Sequence, residues 1–164
     1  MKRNEFPLIK VRTTGTGRGV FAAHAIQAQT VLFKIEGKKL SFEETKALKE
    51  NESYCLQVEL KEYIALHYPV FLVNHSCNPN CGINADFEFF TLREIAVNEE
   101  ILWDYSTSML ERHWTMKCKC GDEKCRGEVN DFDLLPAETQ KRYKAQGIVL
   151  PFIIEWLNNS GIVQ

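Results

Sequence analysis

Apolar and polar residues alternate along most of the first two thirds of the chain, in runs that are too short for long helices. Alternation over four to eight residues, with many β-branched and aromatic side chains, indicates half-buried strands. The pattern predicts strands in seven stretches that are bounded by turn-forming or charged residues: 6–12, 20–26, 29–35, 54–60, 62–73, 86–95 and 98–105. This part of the chain is therefore expected to consist mainly of short strands.

One stretch among these strands has the pattern of a helix. In 41–50, Ser41 occupies the N-cap position, and Glu44 three residues later completes a capping box. Lysines toward the end suit the negative end of a helix dipole. A helix over 41–50 is therefore predicted.

Two more helices are predicted near the end of the chain. Residues 136–147 have Pro136 in the first turn and Gly147 beyond the last. Residues 151–161 are apolar nearly all round, so this helix either packs back on the domain or forms a homodimer contact. Many short strands with few helices predict a mostly β (α+β) single domain.

Composition narrows the classes of function. The 164 residues carry a formal net charge of −2, without a Lys/Arg run longer than two, which argues against direct nucleic-acid binding. Apolar runs are far shorter than the roughly 20 residues needed to cross a bilayer. The first eleven residues lack the apolar core of a signal peptide, so a cytoplasmic or nuclear protein is expected, neither secreted nor membrane-bound.

Three of the six cysteines lie within eight residues, in the stretch "MKCKCGDEKCRG" at 116–127. The C-x-C-x4-C spacing of Cys118, Cys120 and Cys125 is typical of thiolates around a metal ion. A structural zinc takes four ligands, so one is missing from this stretch. Sequence alone leaves five candidates for it: Cys55, His75, Cys77, Cys81 and His113.

A second polar stretch, "VNHSCNPNCGI" at 73–83, is flanked by apolar strands. Turn formation accounts for Asn78, Pro79 and Asn80. It does not account for Asn74 and His75, which directly follow an apolar strand and need polar partners if buried. These two residues are therefore candidates for a binding site.

Four separated stretches together resemble the SET-domain lysine methyltransferases with a zinc-binding post-SET segment: "GTGRGVFAA", "NHSCNPNC", "EEILWDYS" and "CKCGDEKCRG". The resemblance covers roughly residues 8–128. It implies a β-clip-like fold of several small sheets with a knot-like crossing, a zinc-bound tail and C-terminal helices. The implied division is a SET domain over 1–110, a post-SET segment over 111–128 and a C-terminal helical extension over 129–164.

The resemblance also implies a reaction and its residues. The reaction is methyl transfer from S-adenosylmethionine to the ε-amine of a protein lysine. The family's catalytic tyrosine matches Tyr105, a second channel tyrosine matches Tyr54, and the position that influences the number of methyl groups is Trp103. The matching cofactor-binding residues are Gly17, Arg18, Gly19, Asn74, His75 and Tyr105. One structural zinc ion is implied, with four ligands: Cys77, Cys118, Cys120 and Cys125.

Partners are less well specified by the sequence. The expected substrate is a histone tail or another basic protein, and membranes are not expected as partners. Glu99 and Glu100 are interpreted as a solvated turn. The alternative function is a catalytically inactive, SET-like binding module that zinc stabilises.

Overall fold

A computed structural model describes residues 6–15, 17–48 and 54–161. Within these ranges the chain forms twelve short strands and three α-helices. The strands are β1 (Ile9–Thr14), β2 (Gly17–Ala22), β3 (Val31–Lys34), β4 (Lys39–Ser41), β5 (Cys55–Glu59), β6 (Glu62–Ala65), β7 (Asn74–His75), β8 (Cys81–Ile83), β9 (Glu88–Thr91), β10 (Leu102–Trp103), β11 (Met116–Lys117) and β12 (Glu128–Val129). The helices are α1 (Phe42–Ala47), α2 (Ala137–Ala145) and α3 (Pro151–Asn159). The predicted mostly β fold class is confirmed.

The strands form several small sheets instead of one large sheet. Two sheets have three strands, in the orders β3-β9-β8 and β4-β6-β5, and three are pairs: β1-β2, β7-β10 and β11-β12. The β7-β10 pair is parallel, with Asn74 opposite Leu102 and His75 opposite Trp103. Two motifs that are far apart in sequence therefore lie side by side.

Most predicted strands are longer than the observed ones, and two of the predicted stretches continue into 3-10 turns. The stretch 62–73 pairs only over Glu62–Ala65, and Val70–Leu72 forms a 3-10 turn. Pro69 has no N–H to donate to a sheet ladder, so a strand could not pair regularly through the whole stretch. In 98–105 the strand is Leu102–Trp103, and a second 3-10 turn begins at Tyr105.

The predicted capping box of α1 is confirmed. The Glu44 N–H donates to Ser41 Oγ at 3.3 Å, and the Ser41 N–H donates to Glu44 Oε2 at 2.8 Å. The helix ends at Ala47, and residues 49–50 of the predicted helix lie outside the described residues. The local capping interactions therefore set the start of this helix, as the sequence predicts.

Both C-terminal helices are present and pack on the domain. Three apolar side chains of α3 are buried in the core: Phe152, Ile153 and Leu157. Ile148, between the helices, packs so closely on β8 that a Cβ at Gly82 would lie 2.2 Å from Ile148 Cγ2. The homodimer contact and the three-part division of the chain remain predictions. No helix in the described ranges is long and apolar enough to span a membrane.

Candidate active site and cysteine cluster

Four cysteine side chains meet between two loops. Cys77 lies in the turn after β7, and three cysteines from the β11–β12 loop approach it: Cys118, Cys120 and Cys125. Their four Sγ atoms lie within 4.8 Å of one another, and Cys77 Sγ is 3.7 Å from Cys118 Sγ. Sulfur atoms around a tetrahedral zinc, with Zn–S bonds of about 2.3 Å, are about 3.8 Å apart. The donor set and its spacing therefore fit a zinc ion.

Backbone groups stabilise the thiolate forms of these cysteines. The Arg126 N–H donates to Cys77 Sγ, and the Cys120 N–H donates to Cys118 Sγ, both at 3.4 Å. Burial by itself raises the pKa of Cys120, but hydrogen bonds from the backbone and from neighbouring thiols outweigh burial and lower this pKa to about 7. Burial raises the pKa of Cys77 and Cys118, so these two thiols are expected to lose their protons when a metal ion binds.

The remaining candidates for the fourth ligand lie elsewhere among the described residues. Cys81 is buried on β8, where burial raises the pKa of its thiol, and Cys55 begins β5. His113 packs edge-on against Phe42, with ring centroids 4.7 Å apart. His75 lies next to the cluster, where its side chain contacts the sulfur of Cys77.

His75 joins the cysteine cluster to Tyr105. Its Nδ1 accepts the Tyr105 N–H at 3.3 Å, and its Nε2 lies 3.4 Å from Cys77 Sγ. Burial lowers the pKa of His75 to about 4; Asp104 opposes this shift and Arg126 reinforces it. The ring is therefore neutral near pH 7, and because Nδ1 accepts, the proton is assigned to Nε2, facing the sulfur.

The Tyr105 hydroxyl is held by a further contact from the same region. Its hydroxyl donates to Val73 O at 2.9 Å. Burial raises the pKa of Tyr105, and the nearby Glu100 and Tyr54 raise it further. The phenol is therefore neutral, and since its proton points to Val73, its lone pairs remain to accept a hydrogen bond.

Tyr105 lines a pocket together with other aromatic rings. The space of this pocket, including the part open to solvent, is about 710 Å³, and six of its lining residues are aromatic: Phe42, Tyr63, Phe71, Trp103, Tyr105 and Trp114. The Tyr105 ring centroid is 5.0 Å from that of Trp103 and 6.3 Å from that of Trp114. Aromatic faces accept both an alkyl chain and a cationic head group, so the pocket suits a lysine side chain.

A second group of predicted residues lies on the neighbouring strand β2 and on β7. Asn74 Nδ2 donates to Arg18 O at 3.1 Å and to Glu100 Oε1 at 2.8 Å. A Cβ at Gly19 would lie 2.4 Å from Glu100 Oε1 and 3.0 Å from Asn74 Nδ2. Gly17 has a φ of 135°, which side chains rarely adopt. Glycine at 19 therefore lets the backbone approach these polar groups, and glycine at 17 allows the backbone conformation.

The interpretation of Glu99 and Glu100 as a solvated turn is wrong. Both side chains are half-buried and hydrogen-bonded. Glu99 accepts from Arg93 at 2.6 Å and from Asn80 at 3.0 Å, whereas Glu100 accepts from Asn74. Glu100 thus belongs to the group around Asn74, which a sequence-local interpretation of two adjacent glutamates cannot reveal.

Part of the pocket lining was not indicated by the sequence. Tyr63 and Glu111 both line it, and the Tyr63 hydroxyl donates to Glu111 Oε2 at 2.6 Å. Tyr54 is 36% exposed and stacks on Phe71 at 4.7 Å, beside the pocket instead of in its lining. The inward position of Tyr63 on an alternating strand is the one signal that could have indicated it.

A buried ion pair links the Tyr105 segment to the cysteine loop. Asp104 precedes Tyr105, and its Oδ2 lies 2.7 Å from Arg126 Nη1; Arg126 Nη2 donates to Asp104 Oδ1 at 2.9 Å. The Ser106 N–H also donates to this carboxylate, at 3.1 Å. Because Arg126 directly follows Cys125, the ion pair connects the segment of Tyr105, the candidate catalytic residue, to the cysteine cluster.

Comparison with known proteins gives one family. The family model described as SET domain matches residues 17–106, which is more than half of the chain. Histone-lysine N-methyltransferase ATX2 of Arabidopsis thaliana is 39% identical over 67 residues, which are 37% of this chain and 6% of that protein.

Two further relatives match a longer part of the chain. The "Probable histone-lysine N-methyltransferase set-23" of Caenorhabditis briggsae is 29% identical over 136 residues, covering 70% of this chain and 56% of that protein. Histone-lysine N-methyltransferase SETD1 of Drosophila melanogaster is 30% identical over 129 residues, covering 68% of this chain and 8% of that protein. The chain thus spans 6% to 56% of the length of these three relatives.

Proposed function

The chain belongs to the SET domain family, and we propose that it transfers a methyl group from S-adenosylmethionine to the ε-amine of a lysine in a protein. One observation supports this most strongly. The parallel pairing of β7 with β10 brings Asn74 and His75 beside Trp103 and Tyr105, which line an aromatic pocket. Polar side chains that can bind a cofactor therefore lie next to a channel that can hold a lysine side chain.

The pocket prepares the lysine amine for attack. A free lysine has a pKa of about 10.4 and is almost entirely charged near pH 7, so it lacks the lone pair that attack requires. Burial among the rings of Trp103, Tyr105 and Trp114 disfavours the charged form and lowers this pKa. The Tyr105 hydroxyl, whose own proton is bonded to Val73 O, accepts an N–H of the amine and orients its lone pair.

The β2–β7 region fits the methyl donor. S-adenosylmethionine, when bound, supplies an electrophilic methyl group on a positively charged sulfur. The Glu100 carboxylate offers this cationic group a favourable field, and glycine at 19 leaves space that a Cβ would fill. We assign the cofactor to six residues: Gly17, Arg18, Gly19, Asn74, His75 and Tyr105.

The cysteine cluster is proposed to hold one structural zinc ion. Four thiolates close the coordination sphere, so the ion has no open position for chemistry and acts on folding. Its ligands come from both sides: Cys77 from the turn after β7, and the others from the β11–β12 loop. Zinc therefore holds this loop, with Trp114 before it, against the pocket.

The substrate is proposed to be a histone or another basic protein. The three relatives carry histone-lysine methyltransferase names, and on this likeness a nuclear location is also proposed. Glu111 in the pocket lining gives a negative charge where a basic peptide would approach.

Radiolabel transfer tests the proposal. Zinc-loaded protein and methyl-labelled S-adenosylmethionine are incubated with mixed histones and, separately, with total soluble lysate. We expect labelling to fall at least about 100-fold in Tyr105→Phe, while calorimetry shows unchanged cofactor binding. The matched control is Tyr68→Phe, which removes a hydroxyl from an exposed ring outside the pocket.

Each outcome has a defined meaning. Labelled histones that depend on Tyr105 support a histone substrate, and labelling in lysate alone moves the substrate to another protein. Cofactor binding without labelling in either mixture supports the inactive binding module. Unchanged labelling in Tyr105→Phe contradicts the assignment of Tyr105.

A further inference from the structure

A tyrosine on one of the C-terminal helices contacts residues that hold the candidate active site in place. Tyr143 on α2 is fully buried, and its hydroxyl lies 2.8 Å from Asp104 Oδ2 and 3.0 Å from Cys77 O. This helix lies outside the matched SET domain range and beyond the cysteine loop. The Tyr143 hydroxyl nevertheless contacts both a cysteine of the cluster and Asp104, the residue before Tyr105.

The hydroxyl links Asp104 to the Cys77 turn, and it also accepts from Arg142 Nη2 at 3.3 Å. It has one proton, which it shares between the Asp104 carboxylate and the Cys77 carbonyl. The carboxylate is also paired with Arg126, whose own N–H donates to Cys77 Sγ. The turn at Cys77, the cysteine loop and the Tyr105 segment are therefore fixed relative to one another around one carboxylate.

The position of α2 is set independently of this hydroxyl. After α2, Ile148 is buried against Gly82 of β8, and the Leu150 N–H donates to Thr107 O at 3.2 Å. The Tyr143 ring is buried in the same core. Removing only the hydroxyl therefore leaves the helix anchored and isolates the effect of its hydrogen bonds.

We infer that Tyr143 is a positioning residue that couples the cysteine cluster to Tyr105 in the pocket. The inference rests on the proposed function, because it assigns Tyr143 to the same zinc and methyl-transfer site. Without the hydroxyl, Asp104 keeps Arg126 but loses the donor that it shares with the Cys77 turn. The turn then opens more readily and its sulfur leaves the metal sooner.

The rate of zinc release tests the inference without any methyl donor. Zinc-loaded full-length Tyr143→Phe is mixed with an excess of a colorimetric chelator, well below its melting temperature. We expect zinc to leave about tenfold faster than from the unaltered protein, as expected for losing a hydrogen bond to a charged group. Labelling of histones at saturating cofactor should fall by a similar factor, with cofactor affinity unchanged.

Two control variants separate positioning from general stability. Ile153→Val on α3 removes one buried methyl group, which lowers stability without touching Asp104, and Tyr68→Phe removes an exposed hydroxyl. Both should release zinc at the unaltered rate. Release from Tyr143→Phe that is no faster than from Ile153→Val overturns the inference.

The two proposals can fail separately. If the unaltered protein labels no substrate, the result counts against the proposed reaction. The difference in zinc release still decides the role of Tyr143. If labelling occurs and Tyr143→Phe matches the controls in zinc release, the reaction stands and the coupling does not.

Discussion

Replacing Asp104 by Asn tests the buried ion pair that joins the Tyr105 segment to the cysteine loop. The Asp104 side chain is 0% exposed and that of Arg126 is 12% exposed. Asn keeps the size of the side chain and an oxygen that accepts from Ser106. It replaces the oxygen that lies 2.7 Å from Arg126 Nη1 by an amide nitrogen, so two donors face each other.

The burial of the pair determines how much stability Asp104→Asn is expected to lose. Removing one partner of a buried ion pair costs about 3–5 kcal/mol, because the remaining charge has lost its partner without regaining water. The pair between Lys39 and Glu62 is a matched exposed control, with side chains 61% and 46% exposed. Breaking such an exposed pair costs little, because water and salt already screen its charges. Asp104→Asn should therefore cost several times as much as Glu62→Gln.

Urea denaturation measures this difference. Each variant is unfolded at the same excess of zinc, so that metal binding stabilises all of them under the same conditions. With urea slopes of about 1–3 kcal/mol per molar, the midpoint of Asp104→Asn should fall by at least about 1 M. The double variant Asp104→Asn/Arg126→Met removes the stranded charge and should recover part of the loss.

Two results would refute this reasoning. A loss below about 1 kcal/mol in Asp104→Asn would mean that Arg126 is solvated like a surface cation. Purely additive effects of Asp104→Asn and Arg126→Met would mean that the two side chains do not interact.

Two further predictions concern the cluster and the C-terminal packing. Cys77→Ser should lose bound zinc by atomic absorption, whereas Cys81→Ser should keep one equivalent; the opposite pattern would contradict the cluster. Gly82→Ala should lower the free energy of unfolding by about 1–3 kcal/mol, since its Cβ would lie 2.2 Å from Ile148 Cγ2. Gly15→Ala, where a Cβ meets nothing within 4 Å, is the control, and an equal loss there would exclude this packing as the cause.

The sequence by itself determined the features that depend on near neighbours in the chain. Ser41 and Glu44 are three residues apart, so their capping box forms within one helical turn. Short alternating runs indicated most of the strands, although Pro69 ended one of them earlier than the pattern suggested. The motifs around Asn74 and Tyr105 indicated the family before any contact was known.

Only the tertiary structure decided which distant residues meet. It brought Cys77 to the cysteine loop, as the family resemblance implied, and it also placed Glu100 on Asn74 and put Tyr63 into the pocket. It also placed the Tyr143 hydroxyl on Asp104, 39 residues away in sequence. Hydrogen bonds and ion pairs act over a few ångströms and leave no periodic pattern along the chain, so their partners are known only once the core has brought the segments together.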